Sequence, residues 1–262
     1  MLLNSKIRNL IEINKKEIII NENFIEIFLS KLGNNEEIIL RNNYLKGKKR
    51  MSCEGDEYQK EIFKIENLQF KINDPIKLGY DQPELWRKRY YKYYWDVEDD
   101  EIESFSKNLV LNYLKGLKWV SCYYFESCPS WEWYYPYDQP PLMSDISRYI
   151  KDININKIKF ELGKPIKPFM QLLAVLPPQS SFLLPDNFRK LVLNPKSSIA
   201  YMYPLEFEQD FINKHKYWMG IPKLPPLDLN LLKHSYYKYE NEINDIDKKR
   251  NNLKLININK IC

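Results

Sequence analysis

The stretch at residues 85–125, LWRKRYYKYYWDVEDDEIESFSKNLVLNYLKGLKWVSCYYF, indicates the fold class. From position 105 onward its apolar side chains recur at helical spacing, so they form one face of a long amphipathic helix. The members of that face are Phe105, Leu109, Tyr113, Leu117 and Val120. The acidic run at residues 98–103 lies near the amino end of this helix, where negative charge complements the helix dipole.

The same acidic run does not predict a metal site. Two-metal nucleases require carboxylates that converge from separate rigid elements, whereas consecutive residues project their side chains in different directions. The cysteines and histidines lack zinc-ligand spacing. They are Cys53, Cys122, Cys128, Cys262, His215 and His234. We therefore assign no catalytic residue, no metal ligand and no cofactor to this chain.

Composition supports a mainly α fold. The 262 residues include 20 Tyr, 12 Phe and 6 Trp but only 7 Gly, which favours densely packed helices over a glycine-turned sheet. The net charge is +5 and its excess lies at the two ends of the chain, so charge alone does not indicate nucleic-acid binding. Few cysteines, no signal peptide and no stretch of about 18 apolar residues predict a reducing intracellular compartment and no membrane partner.

The amino-terminal part predicts two helices and a mobile connection. In NENFIEIFLSKLG, residues 21–33, Asn23 is the expected N-cap and Gly33 the expected end of the first helix. The second helix is expected to start in EEIILRNN, residues 36–43. Residues 41–60 have no apolar period, so we expect a mobile connection whose basic cluster is more often a solvated surface than a binding patch.

Prolines divide the rest of the chain. Those between residues 126 and 147 exclude a long helix there, so we expect a long, ordered loop rich in aromatic residues and proline. A short helix is expected in KPFMQLLAVLPP, residues 167–178. Asp186 and Asp228 are expected N-caps of two further helices, and the chain is expected to fray beyond Asn241.

Five aromatic rings within seven residues mark the candidate site. They belong to Trp131, Trp133, Tyr134, Tyr135 and Tyr137. Composition favours the interpretation that these rings fill space between helices. The alternative is that at least one ring is a stacking platform for a base of single-stranded nucleic acid. Because the flanking prolines favour an extended backbone, we expect Trp131 and Trp133 to point in opposite directions, one exposed and the other packed.

The order of motifs along the chain resembles the second conserved region of the XRN-type 5′→3′ exoribonucleases. The similar segments are GLKWVSCYYFESCPSWEWYYPY (116–137), SDI (144–146), FELGKPIKPFMQLLAVLPPQSSFLLP (160–185), SSIAYMYPLEFEQD (197–210) and YWMGIPKLPPLD (217–228). Upstream, residues 21–40 are similar to the helix that opens that region, and residues 85–97 to its lead-in to a long helix. We therefore divide the chain into a low-complexity segment at 1–17, an exoribonuclease helical domain at 18–250 and a tail at 251–262.

The resemblance implies a role for the aromatic segment. In that family a Mg²⁺-dependent α/β catalytic region precedes the helical region, and the two enclose a narrow pocket for the 5′-monophosphorylated end of single-stranded RNA. By resemblance, Trp131 or Trp133 stacks on the first base, and the pocket is flanked by Tyr134, Tyr135 and Tyr137. Where the family usually has H-Y-A-P, this chain has DQPP at residues 138–141, which changes the charge and rigidity beside the pocket.

The resemblance also sets what we expect of the whole chain. The family's metal-binding acids lie in the N-terminal catalytic region, for which residues 1–17 leave no room, so catalysis and Mg²⁺ are expected only with that segment present in the same chain or as a partner. The alternatives are a stand-alone, non-catalytic RNA-binding module and a helical scaffold that binds protein. LWRKRYY and CPSW look closer to the nuclear branch of the family and GKPIKPFMQLLAVLP to the cytoplasmic one, and we prefer a nuclear location.

Overall fold

A computed structural model describes residues 9–14, 17–47 and 52–253, and it is mainly α-helical, as the sequence predicts. Its described strands form two short antiparallel pairs, β1 (Ile11–Asn14) with β2 (Glu17–Ile20) and β3 (Gln209–Asp210) with β4 (Ile221–Pro222). The α-helices are α1 (Glu22–Gly47), α2 (Glu57–Glu66), α3 (Pro83–Trp95), α4 (Ile102–Phe125), α5 (Met143–Tyr149), α6 (Pro168–Val175), α7 (Asp186–Leu193), α8 (Leu229–Tyr239) and α9 (Asp245–Arg250). Short 3₁₀ turns occur at Ile150–Asp152, Ile155–Lys157, Pro178–Leu183, Ala200–Met202, Tyr217–Met219 and Glu240–Glu242. Within the described ranges, every helix is too short or too polar to cross a membrane.

The chain forms two compact units. The first consists of Met1–Lys164 together with Phe211–Met219, and the second of Pro165–Asp210 together with Gly220–Cys262. The helical domain predicted at residues 18–250 therefore contains parts of both units. Its predicted start lies inside β2, which pairs with β1. The aromatic candidate residues all belong to the first unit.

α1 is one continuous helix where the sequence predicted two. Asn21, and not Asn23, caps it, because the Oδ1 atom of Asn21 accepts the amide N–H of Phe24 at 3.0 Å. Gly33, the predicted end, lies in the middle of α1. A Cβ atom at Gly33 would lie 2.6 Å from the carbonyl oxygen of Met143, so this glycine permits the close approach of α5. The prediction was wrong because helix ends and tight helix contacts both favour a residue without a side chain.

The prediction of a mobile connection at residues 41–60 is wrong for both ends of that range. Residues 41–47 continue α1, where Arg41 forms an ion pair with Glu37 one turn earlier at 2.8 Å. Residues 57–60 begin α2, which Asp56 opens with a capping box. Residues 48–51, with most of the predicted basic cluster, lie outside the described residues.

α4 lies at the centre of the first unit. Leu109 packs in one buried cluster with residues of α3, and Val110 and Leu114 pack in a second cluster with residues of α1 and α5. Val120, predicted on the buried face, is exposed. The buried face of α4 therefore shifts to the side that contacts α1 and α5. The carboxyl-terminal half of α4 has a face that is exposed to solvent.

In the second unit, two of the sequence predictions hold. α6 lies within the predicted range 167–178. Asp228 caps α8, since its Oδ1 atom accepts the amide N–H groups of Asn230 and Leu231 at 2.9 Å each. Asp186 does not cap, because it is the first residue of α7 and Pro185 occupies the N-cap position.

The prediction that the chain frays beyond Asn241 is wrong for the residues up to 251. α9 forms there, and the buried Asn251 side chain accepts the amide N–H of Phe169 at 3.1 Å and donates to the hydroxyl of Tyr236 at 2.5 Å. The sequence of this segment is poor in apolar residues and therefore did not predict an ordered helix, because the segment is held by hydrogen bonds. The predicted tail beyond residue 253 lies outside the described residues.

Candidate nucleic-acid interface

The candidate residues lie in residues 126–142, which connect α4 to α5 and which we call the aromatic loop. The loop is ordered without being helical, as its prolines predict. The loop expected to extend to residue 147 ends earlier, however, because α5 begins at Met143. It runs back along α4: Ser130 contacts Trp119, Trp133 lies on Gly116, and Tyr135 packs on Tyr113. Each step along the loop thus meets an earlier turn of the helix.

A turn at Ser130 fixes the start of the aromatic segment. The buried Ser130 hydroxyl accepts the amide N–H of Trp133 at 3.1 Å, and its carbonyl oxygen accepts the indole N–H of Trp119 at 3.0 Å. The next amide, that of Trp131, donates to the carbonyl oxygen of Leu162 at 2.8 Å. These bonds fix the backbone immediately before Trp131 and two residues after it.

Trp131 and Tyr134 present their rings to solvent. Trp131 is 51% exposed and Tyr134 is 64% exposed. Neither ring stacks on another aromatic side chain of the described residues. Close to the backbone of Trp131, Gly163 has a φ of +64°, and a Cβ atom there would lie 2.7 Å from Cγ of Glu132. A glycine is therefore required where this neighbouring segment meets the loop.

Trp133 is packed against α4. A Cβ atom at Gly116 would lie 3.3 Å from its indole Cη2, so the ring lies almost on the helix backbone. Phe160 meets the indole edge-on with ring centroids 5.7 Å apart. The ammonium group of Lys115 lies 5.6 Å from the centre of the same ring, which is a cation–π distance.

Tyr135 and Tyr137 belong to the core and not to an open surface. The Tyr135 hydroxyl donates to the carbonyl oxygen of Gln139 at 3.0 Å, and burial raises the pKa of that hydroxyl. Tyr137 packs edge-on against Trp95 and Phe105, and its hydroxyl accepts a hydrogen bond from the side chain of Asn108 at 2.9 Å. The predicted flanking residues therefore divide, with Tyr134 exposed and the other two packed.

The two tryptophans do differ in exposure, but the reason expected from the sequence is wrong. Side chains two residues apart in an extended chain share one side, as Trp133, Tyr135 and Tyr137 do when they face α4. Trp131 does not face α4 with these residues, because the turn at Ser130 changes the direction of the backbone there.

The DQPP segment at residues 138–141 anchors the end of the loop. Gln139 is buried, and the carbonyl oxygen of Pro140 accepts the hydroxyl of Tyr90 at 2.7 Å. Glu36 of α1 then caps α5, because its carboxylate accepts the amide N–H groups of Met143 at 2.6 Å and Ser144 at 2.9 Å. Sequence reasoning missed Glu36, whose partners lie more than 100 positions away.

A buried polar network follows in α5 and was also missed. The Asp145 carboxylate accepts the Tyr91 hydroxyl at 2.6 Å and pairs with Arg87 at 2.9 Å. Burial, and after it the Asp145 charge, raise the pKa of Tyr91, so this hydroxyl acts as a donor. Arg87 also reaches Glu103, which belongs to the acidic run.

The acidic run at residues 98–103 forms ion pairs. Glu98 pairs with Lys92 at 2.5 Å, and Asp99 pairs with Lys88 at 2.6 Å. Across residues 9–14, 17–47 and 52–253, no three His, Cys, Asp or Glu side chains come together in a way that could hold a metal ion. The described residues of this chain thus do not fit a Mg²⁺ site.

The sequence has counterparts among known proteins. The family model described as the Xrn1 helical domain matches residues 4–258, so the chain belongs to this family. Relatives named 5′-3′ exoribonuclease 2 are 39% identical over 176 residues in Candida albicans, 37% over 195 in Debaryomyces hansenii and 41% over 167 in Arabidopsis thaliana. These matches cover 65%, 72% and 63% of this chain but 18%, 19% and 16% of the respective relatives. The matched part of this chain therefore corresponds to less than a fifth of each relative.

Proposed function

We propose that this chain is the helical part of a 5′→3′ exoribonuclease, and that Trp131 stacks on the base at the 5′ end of single-stranded RNA. Membership of the helical-domain family and relatives named as exoribonucleases support the class. The observation that carries the residue assignment is an exposed indole on a backbone fixed by its neighbours. A backbone that is already fixed lowers the ordering cost of stacking a base on the ring that it carries.

Trp133 supports this surface and does not itself take the base. Gly116 lies against its indole, and Phe160 and Lys115 contact it, so stacking a base on it would require displacing one of them. Its packing holds the loop on α4 one turn from Trp119, which bonds to the residue before Trp131. Tyr134 is a second exposed ring beside the site.

We assign the cleavage chemistry to the family's N-terminal region, supplied in the same chain or in a partner. Mg²⁺ bound to acids of that region would neutralise charge developing at the scissile phosphate. The role of this chain is to place the first base, and the preferred substrate is RNA with a 5′-monophosphate. We expect the complete enzyme to act in the nucleus.

Substitution of the two tryptophans tests the proposal. Trp131→Ala is expected to weaken binding of a 5′-monophosphorylated, 3′-fluorescein single-stranded RNA by about 1–3 kcal/mol, the usual loss for one stacked base. Its free energy of unfolding should change by less than about 0.5 kcal/mol, because the side chain is exposed. Trp133→Ala should instead cost roughly 2 kcal/mol of stability through lost packing. The measurements are fluorescence anisotropy and urea unfolding.

Trp218→Ala is the matched control, because it removes another exposed indole, 79% exposed, of the same unit. It should leave RNA affinity unchanged. Equal affinity of the unsubstituted chain, Trp131→Ala and Trp218→Ala would refute the stacking role. A chain that binds no single-stranded RNA would favour the protein-binding scaffold.

A further inference from the structure

A second aromatic surface adjoins Trp131 on α4. Lys115, Trp119 and Tyr123 are spaced four residues apart, so they lie on one face of this helix. That face meets the aromatic loop, since Lys115 contacts the indole of Trp133 and Trp119 bonds to Ser130. Tyr123 lies one turn further on, beyond the contact of Ser130 with Trp119.

The rings of Trp119 and Tyr123 are stacked face to face. Their centroids are 5.3 Å apart and their planes differ by 9°. The indole N–H is fixed by its bond to the carbonyl oxygen of Ser130, so the pair is rigid and is tied to the residue that precedes Trp131. Tyr124 also meets the Tyr123 ring edge-on, with centroids 5.6 Å apart. Tyr123 is nevertheless 52% exposed, so part of its ring surface is open beyond these two contacts. A fixed, open aromatic ring suits the stacking of any base.

A cation completes this face. The Lys115 ammonium has no carboxylate partner in the part of the chain that the structure describes, and it lies 5.5 Å from the ring of Phe160 as well as near Trp133. Lys118 differs, because its ammonium donates to the carbonyl oxygens of Asn156 and Ile158 and burial lowers its pKa. Lys115 is thus available to neutralise a phosphate, whereas Lys118 serves the fold.

We propose that this face of α4 is a second subsite for single-stranded nucleic acid, in which Tyr123 stacks on an internal base and Lys115 contacts a backbone phosphate. The inference rests on the proposed function, because it takes the first base of the same strand to lie on Trp131. The subsite predicts that the chain binds several consecutive unpaired nucleotides, without preference for base identity.

The test combines side-chain removal with base removal. Tyr123→Ala should weaken binding of the 5′-monophosphorylated RNA by about 5- to 150-fold, the range that one stacked base supplies. Abasic residues are then placed one at a time at the internal positions of the RNA. At one position the missing base should make Tyr123→Ala and the unsubstituted chain bind equally, whereas an abasic first nucleotide should leave the effect of Tyr123→Ala intact.

Two further variants serve as controls. Tyr58→Ala removes a ring of α2 that is 74% exposed, and it should not change affinity. Lys115→Gln should lower the slope of log affinity against log salt by about 0.7, the value for one phosphate of a single strand, and Lys60→Gln on the exposed surface of α2 should not. Circular dichroism checks that each variant is folded.

The outcomes separate the two proposals. If Trp131→Ala weakens binding but Tyr123→Ala behaves like Tyr58→Ala, the second subsite is refuted and the proposed function stands. The second subsite is likewise refuted if no abasic position removes the effect of Tyr123→Ala. If the unsubstituted chain does not bind the RNA, both proposals are refuted.

Discussion

The two halves of the aromatic loop, residues 126–134 and 135–142, both carry aromatic rings, but exposed rings occur only in the first half. Tyr135 and Tyr137 in the second half are packed among rings of α3 and α4, and their hydroxyls form hydrogen bonds within the protein. In the first half, the rings of Trp131 and Tyr134 are exposed to solvent. Trp131 is held through its backbone, whose amide donates a hydrogen bond to Leu162. Exposure is therefore set by the path of the backbone along α4 and not by residue type, because Tyr134 is exposed whereas its neighbour Tyr135 is packed.

The second half is also the better anchored of the two. It ends at α5, whose first amides are capped by Glu36 and whose Asp145 is held by Arg87 and Tyr91. The first half is held by the turn at Ser130, by the bonds of Ser130 to Trp119 and of Trp131 to Leu162, and by the packing of Trp133 on α4. We therefore expect stability to depend on the packed rings Trp133, Tyr135 and Tyr137, and RNA binding on the exposed ones.

The greatest loss of stability is expected where the anchor is buried. Asp145→Ala leaves the Arg87 guanidinium and the Tyr91 hydroxyl without their main acceptor, and should lower the free energy of unfolding by about 3–5 kcal/mol. Asp152→Ala, which breaks an exposed ion pair with Lys107, should cost less than about 1 kcal/mol. Urea unfolding followed by circular dichroism measures both. Equal stability of the two variants would show that the network does not anchor the loop.

The adjacent pair Tyr134 and Tyr135 allows the two halves to be tested side by side. Tyr135→Ala should cost roughly 2–3 kcal/mol of stability, because it removes a packed ring and its bond to Gln139. Tyr134→Ala should change stability by less than about 0.5 kcal/mol, because its ring is exposed. Thermal unfolding of the two single variants measures the difference. Similar losses for both would remove the distinction between the halves.

The smallest expected effect is on the stability of the protein at acidic pH. The hydrogen bond from Tyr149, followed by contacts with Arg148 and Arg87, holds the pKa of Glu103 below its ordinary value of 4.5. A lowered carboxyl pKa contributes stability above pH 4.5, and this contribution is lost as the pH falls below 4.5 and through the pKa of the folded state. Glu103→Gln should therefore lose less stability than the unsubstituted chain between pH 7 and pH 3. An identical acid-induced loss in both proteins, measured by urea midpoints, would contradict the assignment.

Much of the helical fold could be predicted from local patterns. α4 and α6 follow from apolar spacing, and the cap at Asp228 follows from its place before a helix. The prolines correctly excluded helix from the aromatic loop. These features depend on neighbours within a few residues, which a single sequence displays.

What failed depends on distant neighbours. Gly33 was taken for a helix end because its contact with Met143 cannot be seen in the sequence. The same holds for Glu36 and Asp145, whose roles arise from partners brought together by folding. For the candidate site, the sequence indicated the five rings but could not say that Trp131 is open and Trp133 packed. Tyr123 was overlooked because a tyrosine at helical spacing is ordinarily part of a core.

The capping of α5 by Glu36 has a consequence during synthesis. α1 leaves the ribosome well before α5 exists, because Glu36 and Met143 are 107 positions apart. At about 5–20 residues per second, roughly 5–20 s pass before α5 can cover the apolar face of α1. In that interval Ile25 and Leu29, which are buried in a cluster with Ile146 in the finished protein, have no α5 against which to pack. The nascent chain therefore leaves this apolar face of α1 uncovered by α5 during that interval, and transiently exposed surface of this kind is what chaperones shield.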